Sequence, residues 1–148
     1  DIDETVIENT EHGEVLIKPV ADLYKKYRDM GVPVYFITAR PSVRGNKKET
    51  EKMLSRMGLG GYRNIYLLSK EFYDQGQFGV HKFKHSKRIE VLKICKDVLA
   101  RVGDMAWDSL PPSTTFRDDT SILKKIKNED SYIIFHPKQN EVSIKLPG

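Results

Sequence analysis

The feature that most restricts the fold is Val32-Pro33-Val34-Tyr35-Phe36-Ile37, an unbroken apolar run of strand length set between two segments of helical spacing. A strand without polar alternation has both faces covered, as happens inside a parallel sheet flanked by helices. Before the run, Val20, Leu23, Tyr24 and Tyr27 recur at helical intervals, Pro19 suits a first turn, and Gly31 closes a helix predicted over Pro19–Met30. After it, a helix is predicted over Lys47–Met57, stopped by Gly58 and Gly60-Gly61, followed by a strand over Asn64–Leu68. A third helix is predicted over Ser86–Lys96, with Ser86 as N-cap and Ile89, Leu92 and Cys95 turned inward. Further strands are predicted at Val98–Val102, Tyr132–Phe135 and Val142–Leu146, the last two joined through Pro137–Asn140. Strands alternating with helices predict an α/β domain with a mainly parallel sheet, whose binding crevice lies beyond the carboxyl ends of its strands.

The chain has 148 residues, 39% of them hydrophobic and 31% charged, which suits one domain with its own core over residues 1–148. No apolar run approaches the roughly 20 residues that span a bilayer, so no membrane partner is expected. No secretory leader is expected from an acidic opening, Asp1-Ile2-Asp3-Glu4. The single cysteine, Cys95, excludes an internal disulfide and a cysteine-rich zinc site, and a cytoplasmic setting is the expectation. Asp1 to Thr5 reads as the exit of a strand, so an apolar strand is expected upstream of Asp1.

With 25 Lys or Arg against 21 Asp or Glu, the net charge is only +4, but it is unevenly spread. Between His81 and Arg101 seven basic residues (Lys82, Lys84, Lys87, Arg88, Lys93, Lys96, Arg101) face two acidic ones, Glu90 and Asp97. Charge runs are usually solvated helix faces, and the sharper reading is an anionic substrate.

Polar groups stand at the predicted strand ends. Asp1 and Asp3, two positions apart, can both be directed into one crevice, and like charges that close demand a cation or raise a pKa. A hard divalent ion such as Mg²⁺ meets that demand. Thr38-Ala39-Arg40 puts a hydroxyl and a guanidinium at the end of the apolar run, where Arg40 reads equally as a phosphate contact or as half of a structural ion pair. Lys84 precedes the third helix, and Gly103-Asp104 ends a strand with Asp108 four residues on. Taken singly, each has a commoner explanation as an acidic turn, a cap or a solvated lysine. Their order, each at a strand end or helix start, is what outweighs those explanations. His12, His81, His85 and His136 lack paired metal-ligand spacing and read as surface or capping residues, while Trp107 reads as core or as a stacking ring.

In this order the motifs Asp1-Ile-Asp-Glu-Thr5, Ile37-Thr-Ala-Arg-Pro41, Phe83-Lys84 with Lys87-Arg88, and Gly103-Asp-Met-Ala-Trp-Asp108 resemble the haloacid dehalogenase-like phosphatases. The similarity is greatest to the acid-phosphatase subfamily with the D-x-D-E-T signature, and Ile144-Lys-Leu-Pro147 resembles that family's last strand. His85 departs from the pattern, standing where a small hydroxyl residue is common. The resemblance implies a three-layer, Rossmann-like α/β domain and a Mg²⁺-dependent phosphomonoesterase acting through an aspartyl-phosphate. It implies Asp1 as nucleophile and Asp3 as the acid that protonates the leaving group and then the base that activates water. Thr38, Ala39, Arg40 and Lys84 would bind the phosphoryl group, with Lys84 neutralising transition-state charge. Asp1, the Asp3 carbonyl and Asp104 would hold Mg²⁺, with Asp108 either an outer metal partner or an orienter of Lys84.

Only 37 positions separate Asp1 from Thr38, too few for a large cap domain beside a helix and a strand. Residues 69–82 are expected to hold at most a small loop insert. The open site that follows can admit bulky or varied phosphomonoesters, so broad specificity is expected. Basic charge spread around a helix favours a small phosphomonoester, nucleotides among the candidates, as the partner. A nucleotidase or a polynucleotide-end phosphatase is the alternative, with nucleic acid the less favoured partner, and a non-catalytic storage or binding protein on the same fold is the third reading.

Overall fold

The computed structural model describes residues 1–95 and 98–104, together with the strand backbones of 132–136 and 141–145. The protein is a mixed α/β structure. A hairpin of β1 (Ile7–Thr10) and β2 (Gly13–Leu16) precedes helix α1 (Lys18–Asp29). Strand β3 (Tyr35–Pro41), helix α2 (Asn46–Arg56) and strand β4 (Asn64–Leu68) follow as a right-sized β-α-β unit whose two strands pair in parallel. Helices α3 (Lys70–Tyr73) and α4 (Gly76–Cys95) lead to β5 (Ala100–Gly103), and β6 (Tyr132–His136) and β7 (Glu141–Lys145) come last. β7 lies between β5, to which it is parallel, and β6, to which it is antiparallel. The chain divides into two compact units, Asp1–Lys87 and Arg88–Gly148.

Two helix ends show why the sequence breaks where it does. Gly31 and Gly58 have φ of 77° and 73°, left-handed values that a side chain resists. Each lets the chain turn back on its helix: Val32 N–H donates to Tyr27 O at 3.0 Å, and Leu59 N–H to Leu54 O at 2.8 Å. The carbonyls left open at the ends of α1 and α2 are thereby satisfied.

The first unit's core gathers Ile2, Val6 and Ile7 with Ala21 and Tyr24 of α1, Phe36 of β3, Leu54 of α2 and Ile65 of β4. Tyr24 stacks on Phe36 with ring centroids 5.4 Å apart, and its hydroxyl donates to the Leu59 and Gly60 carbonyls at 2.9 Å each. The aromatic ring thus buries without orphaning its polar end.

Three expectations need correction. The apolar run begins its strand at Tyr35 and continues to Pro41, so Thr38 and Arg40 lie within β3 and not beyond it. Residues 69–82 form α3 and the start of α4, not a loop. Ser86 is consequently inside α4, and its hydroxyl donates back to the Phe83 carbonyl at 2.8 Å instead of capping a helix. The early start of α4 depends on Gly79. A Cβ there would run into the Phe72 carbonyl and stand 2.8 Å from Gln75 Cβ. Glycine reads locally as a helix breaker, but here its missing side chain admits the turn from α3.

Candidate active site

The D-x-D segment owes its arrangement to Ile2. That side chain is fully buried, while Asp1 and Asp3 on either side remain partly accessible. Its carbonyl then accepts from the N–H groups of Thr5, Val6 and Ile7 at 3.3, 2.9 and 3.1 Å, winding residues 2–7 into a tight turn. Glu4 completes the turn in left-handed conformation at φ 53°, an uncommon state for a residue with a side chain, and donates its N–H to Ile7 O at 2.7 Å.

Each carboxylate meets its own cation. Asp1 Oδ2 is ion-paired and hydrogen-bonded to Lys84 Nζ, across 83 residues of sequence, while Asp1 Oδ1 accepts the Ile2 N–H at 2.7 Å. The pair is screened from water, with the lysine side chain 3% and the aspartate 9% exposed. α4 holds Lys84 in place through its neighbours: Phe83 packs against Phe72 at 5.8 Å, and the Lys87 ammonium lies 5.3 Å from the Tyr66 ring on β4.

Asp3 meets Arg40. Arg40 Nε donates to Asp3 Oδ2 at 2.9 Å and Nη2 to Oδ1 at 2.7 Å, the forked geometry that guanidinium and carboxylate favour. The β3–β4 register slips here, Thr38 pairing with Leu67 but Pro41 with Leu68, so Ala39 and Arg40 bulge out of the ladder. The Arg40 N–H released by the bulge donates to Thr38 Oγ1 at 3.2 Å. Thr38 is fully buried and Ala39 exposed. Burial pushes the Asp3 carboxyl up, but hydrogen bonds from Arg40 and Asn9 and the Arg40 charge outweigh it and hold it below the ordinary 3.8. Arg40 is correspondingly raised, first by its hydrogen bonds to Asp3.

Within the first unit the structure therefore forms two linked sets, Lys84 with Asp1 and Asp3 with Arg40 and Thr38, joined along the chain through Ile2. Asp104 follows β5 in the second unit, and Asp108 lies outside the described residues. A scan against protein-family models, a search of curated proteins and a search of solved structures each finds no match.

Among the described residues no group of three or more His, Cys, Asp or Glu is gathered as a metal site. In the first unit the oxygens that could serve a hard divalent ion such as Mg²⁺ are those of the Asp1 carboxylate, already partnered by Lys84 and the Ile2 N–H, and the Asp3 main-chain carbonyl. That ion needs only one or two carboxylates and keeps several waters. An open depression of about 550 Å³ lined by Glu14, Leu16, Lys18, Asp22, Lys25 and Met57 includes neither Asp1 nor Lys84, and its mixed charge suits no one class of anion. No described helix is long and apolar enough to cross a membrane.

Two residues that sequence reasoning missed belong to the neighbourhood of Asp3. Glu14 Oε1 accepts from Arg40 Nη2 at 3.2 Å, and Asn9 Nδ2 donates to Asp3 Oδ1 at 3.2 Å. Their signal was the hairpin turn, Thr10-Glu11-His12-Gly13, whose Gly13 takes φ 115°.

Proposed function

We propose that the chain is a Mg²⁺-dependent phosphomonoesterase of acid-phosphatase type, on a three-layer, Rossmann-like domain of the haloacid dehalogenase-like kind without a large cap. The observation that carries this reading is the buried pair of Asp1 and Lys84. A carboxylate in a largely dry site, fixed by an ammonium, is a nucleophile held beside the charge that phosphoryl oxygens need.

In the reaction, an Asp1 oxygen attacks phosphorus and the bond from phosphorus to the ester oxygen breaks. Asp3, after taking up a proton from solvent against the pull of Arg40, gives it to that oxygen and, in the second half, takes one from the water that releases phosphate. Lys84 gains phosphoryl oxygens as partners while the charge spreads over them, and Thr38 keeps a hydroxyl proton to donate to one. Arg40, carried by the bulge, holds Asp3 in its charged form, which suits the base half of the cycle. Asp1 and the Asp3 carbonyl would hold Mg²⁺, which would supply charge shielding between phosphate and carboxylates.

The test is release of p-nitrophenol from its phosphate with Mg²⁺, with excess EDTA after dialysis, and by Asp1→Asn. Turnover that needs both the metal and Asp1 supports the reading; full activity in EDTA sinks the metal, and wild-type kcat in Asp1→Asn sinks the covalent route.

A further inference from the structure

The hairpin β1–β2 grips both halves of the Asp3–Arg40 pair with a single cross-strand pair of residues. Asn9 and Glu14 are direct partners in its register. Asn9 Nδ2 donates to Asp3 Oδ1 at 3.2 Å and to Glu4 Oε1 at 3.2 Å, and Glu14 Oε1 accepts from Arg40 Nη2 at 3.2 Å. The second Glu14 oxygen lies 3.6 Å from Arg56 Nη2 of α2, so Glu14 is itself held from the far side. Arg40 needs such help. It projects from a bulge whose backbone has left the sheet ladder, and its stem alone leaves the guanidinium several rotamers.

We propose that Glu14 is a positioning residue, which fixes the Arg40 guanidinium against Asp3 and so aligns, from the hairpin, the carboxylate two positions from the nucleophile. The inference rests on the phosphomonoesterase reading and assigns it a residue that no motif contains. The Arg40–Asp3 fork carries the stabilising part of this set, and the Glu14–Arg40 contact, a single 3.2 Å hydrogen bond between side chains 29% and 19% exposed, adds modestly to it. What such a set of contacts does is restrict geometry. Misalignment by a fraction of an ångström is costly for proton transfer and nearly harmless for folding.

The experiment compares Glu14→Ala and Glu14→Gln with wild type on two substrates, p-nitrophenyl phosphate and an alkyl phosphomonoester. The first leaves without a proton; the second needs Asp3 to supply one as the ester bond breaks. Glu14→Ala is expected to lower kcat on the alkyl ester about tenfold or more, with KM within threefold and the p-nitrophenyl kcat within threefold. Glu14→Gln keeps an acceptor for Arg40 and should recover most of the loss. Urea midpoints of both variants should match wild type. Equal losses on both esters, a lowered midpoint accounting for the loss in both variants, or no loss on either ester overturns the role. If wild type cleaves neither ester, or Asp1→Asn retains turnover, the phosphomonoesterase reading itself has failed and the inference falls with it. Wild-type turnover lost in Asp1→Asn, with Glu14→Ala unaffected, fails the inference alone.

Discussion

Asp1 and Lys84 form the buried pair on which the proposed site rests, and their burial gives a prediction about stability as well as rate. Asp1→Asn should cut kcat by about a thousandfold or more, because an amide oxygen is a poor nucleophile. It also removes the negative charge beside the Lys84 ammonium in a place 3% exposed, and breaking a buried pair costs up to about 3–5 kcal/mol. Replacing both, Asp1→Asn with Lys84→Met, should restore most of the stability and none of the activity, as urea titration and turnover would read. A double variant no more stable than Asp1→Asn would mean the pair carries no such strain. Asp3 gives a second test. Its pKa is below the ordinary 3.8, because the Arg40 and Asn9 contacts outweigh the burial that raises it. A depressed folded value stabilises fully above the unfolded value and is lost as pH falls through the folded one. The stability gap between wild type and Asp3→Asn should accordingly hold at neutral pH and shrink between about pH 5 and pH 2. A gap that stays constant to pH 3 would show that Arg40 does not hold the charged form.

At the scale of elements, α4 carries Lys84, and α4 can start where it does only because Gly79 lacks a side chain. Gly79→Ala would press a Cβ against the Phe72 carbonyl and Gln75 Cβ. The expected cost is about 1–3 kcal/mol, against the roughly 1 kcal/mol gain that propensity alone would predict for Gly to Ala in a helix. The sign of the change in denaturation midpoint therefore decides between local propensity and the close approach of α3. Because the shift would displace the helix bearing Lys84, kcat should fall too. The strand β3 shows the same tension. Its apolar run predicts a strand covered on both faces, but β3 buries only Phe36 and Thr38, and Pro33 within the run has no N–H for a ladder. Pairing starts at Tyr35 opposite Asn64 and runs on through the polar residues to the bulge.

For the whole molecule, the motifs fall into two compact units, with Asp1, Asp3, Thr38, Ala39, Arg40 and Lys84 in the first and Asp104 in the second. That Asp104 serves the metal is a proposal from the resemblance alone. Asp104→Ala should raise the Mg²⁺ concentration that gives half-maximal activity at least about tenfold, the scale on which lost metal-site groups act. An unchanged Mg²⁺ titration removes Asp104 from the site. The basic segment from His81 to Arg101 bears on substrate size. A small phosphomonoester engages one phosphate, so kcat/KM should depend weakly on salt. A polynucleotide would engage several, with affinity falling by ~0.7–0.9 log units per contact per decade of salt. Comparing a mononucleotide with a 3′-phosphorylated oligonucleotide between about 50 and 200 mM salt separates the two. A strong oligonucleotide preference that collapses over that range favours the polynucleotide-end alternative.

Local rules sufficed where the determinant is a short-range period or a backbone requirement. The helix stops at Gly31 and Gly58, the strand Asn64–Leu68, and the tight turn around buried Ile2 all follow from residues within a few positions of one another. Such features were legible because propensity, capping and alternation act over a few positions. Tertiary structure decided which charge meets which. Arg40 read equally as a phosphate contact or an ion-pair partner, and only the fold brings it to Asp3, 37 positions away, and to Glu14, 26 positions away. Lys84 stands 83 positions from Asp1. Any of several lysines in its basic segment satisfies the local pattern equally well. The choice among them depends on where α3 and α4 direct the chain, and that direction comes from packing at Phe72, Gly79 and Phe83. Long-range pairing is set by the geometry of packed elements, and no window of neighbouring residues contains it.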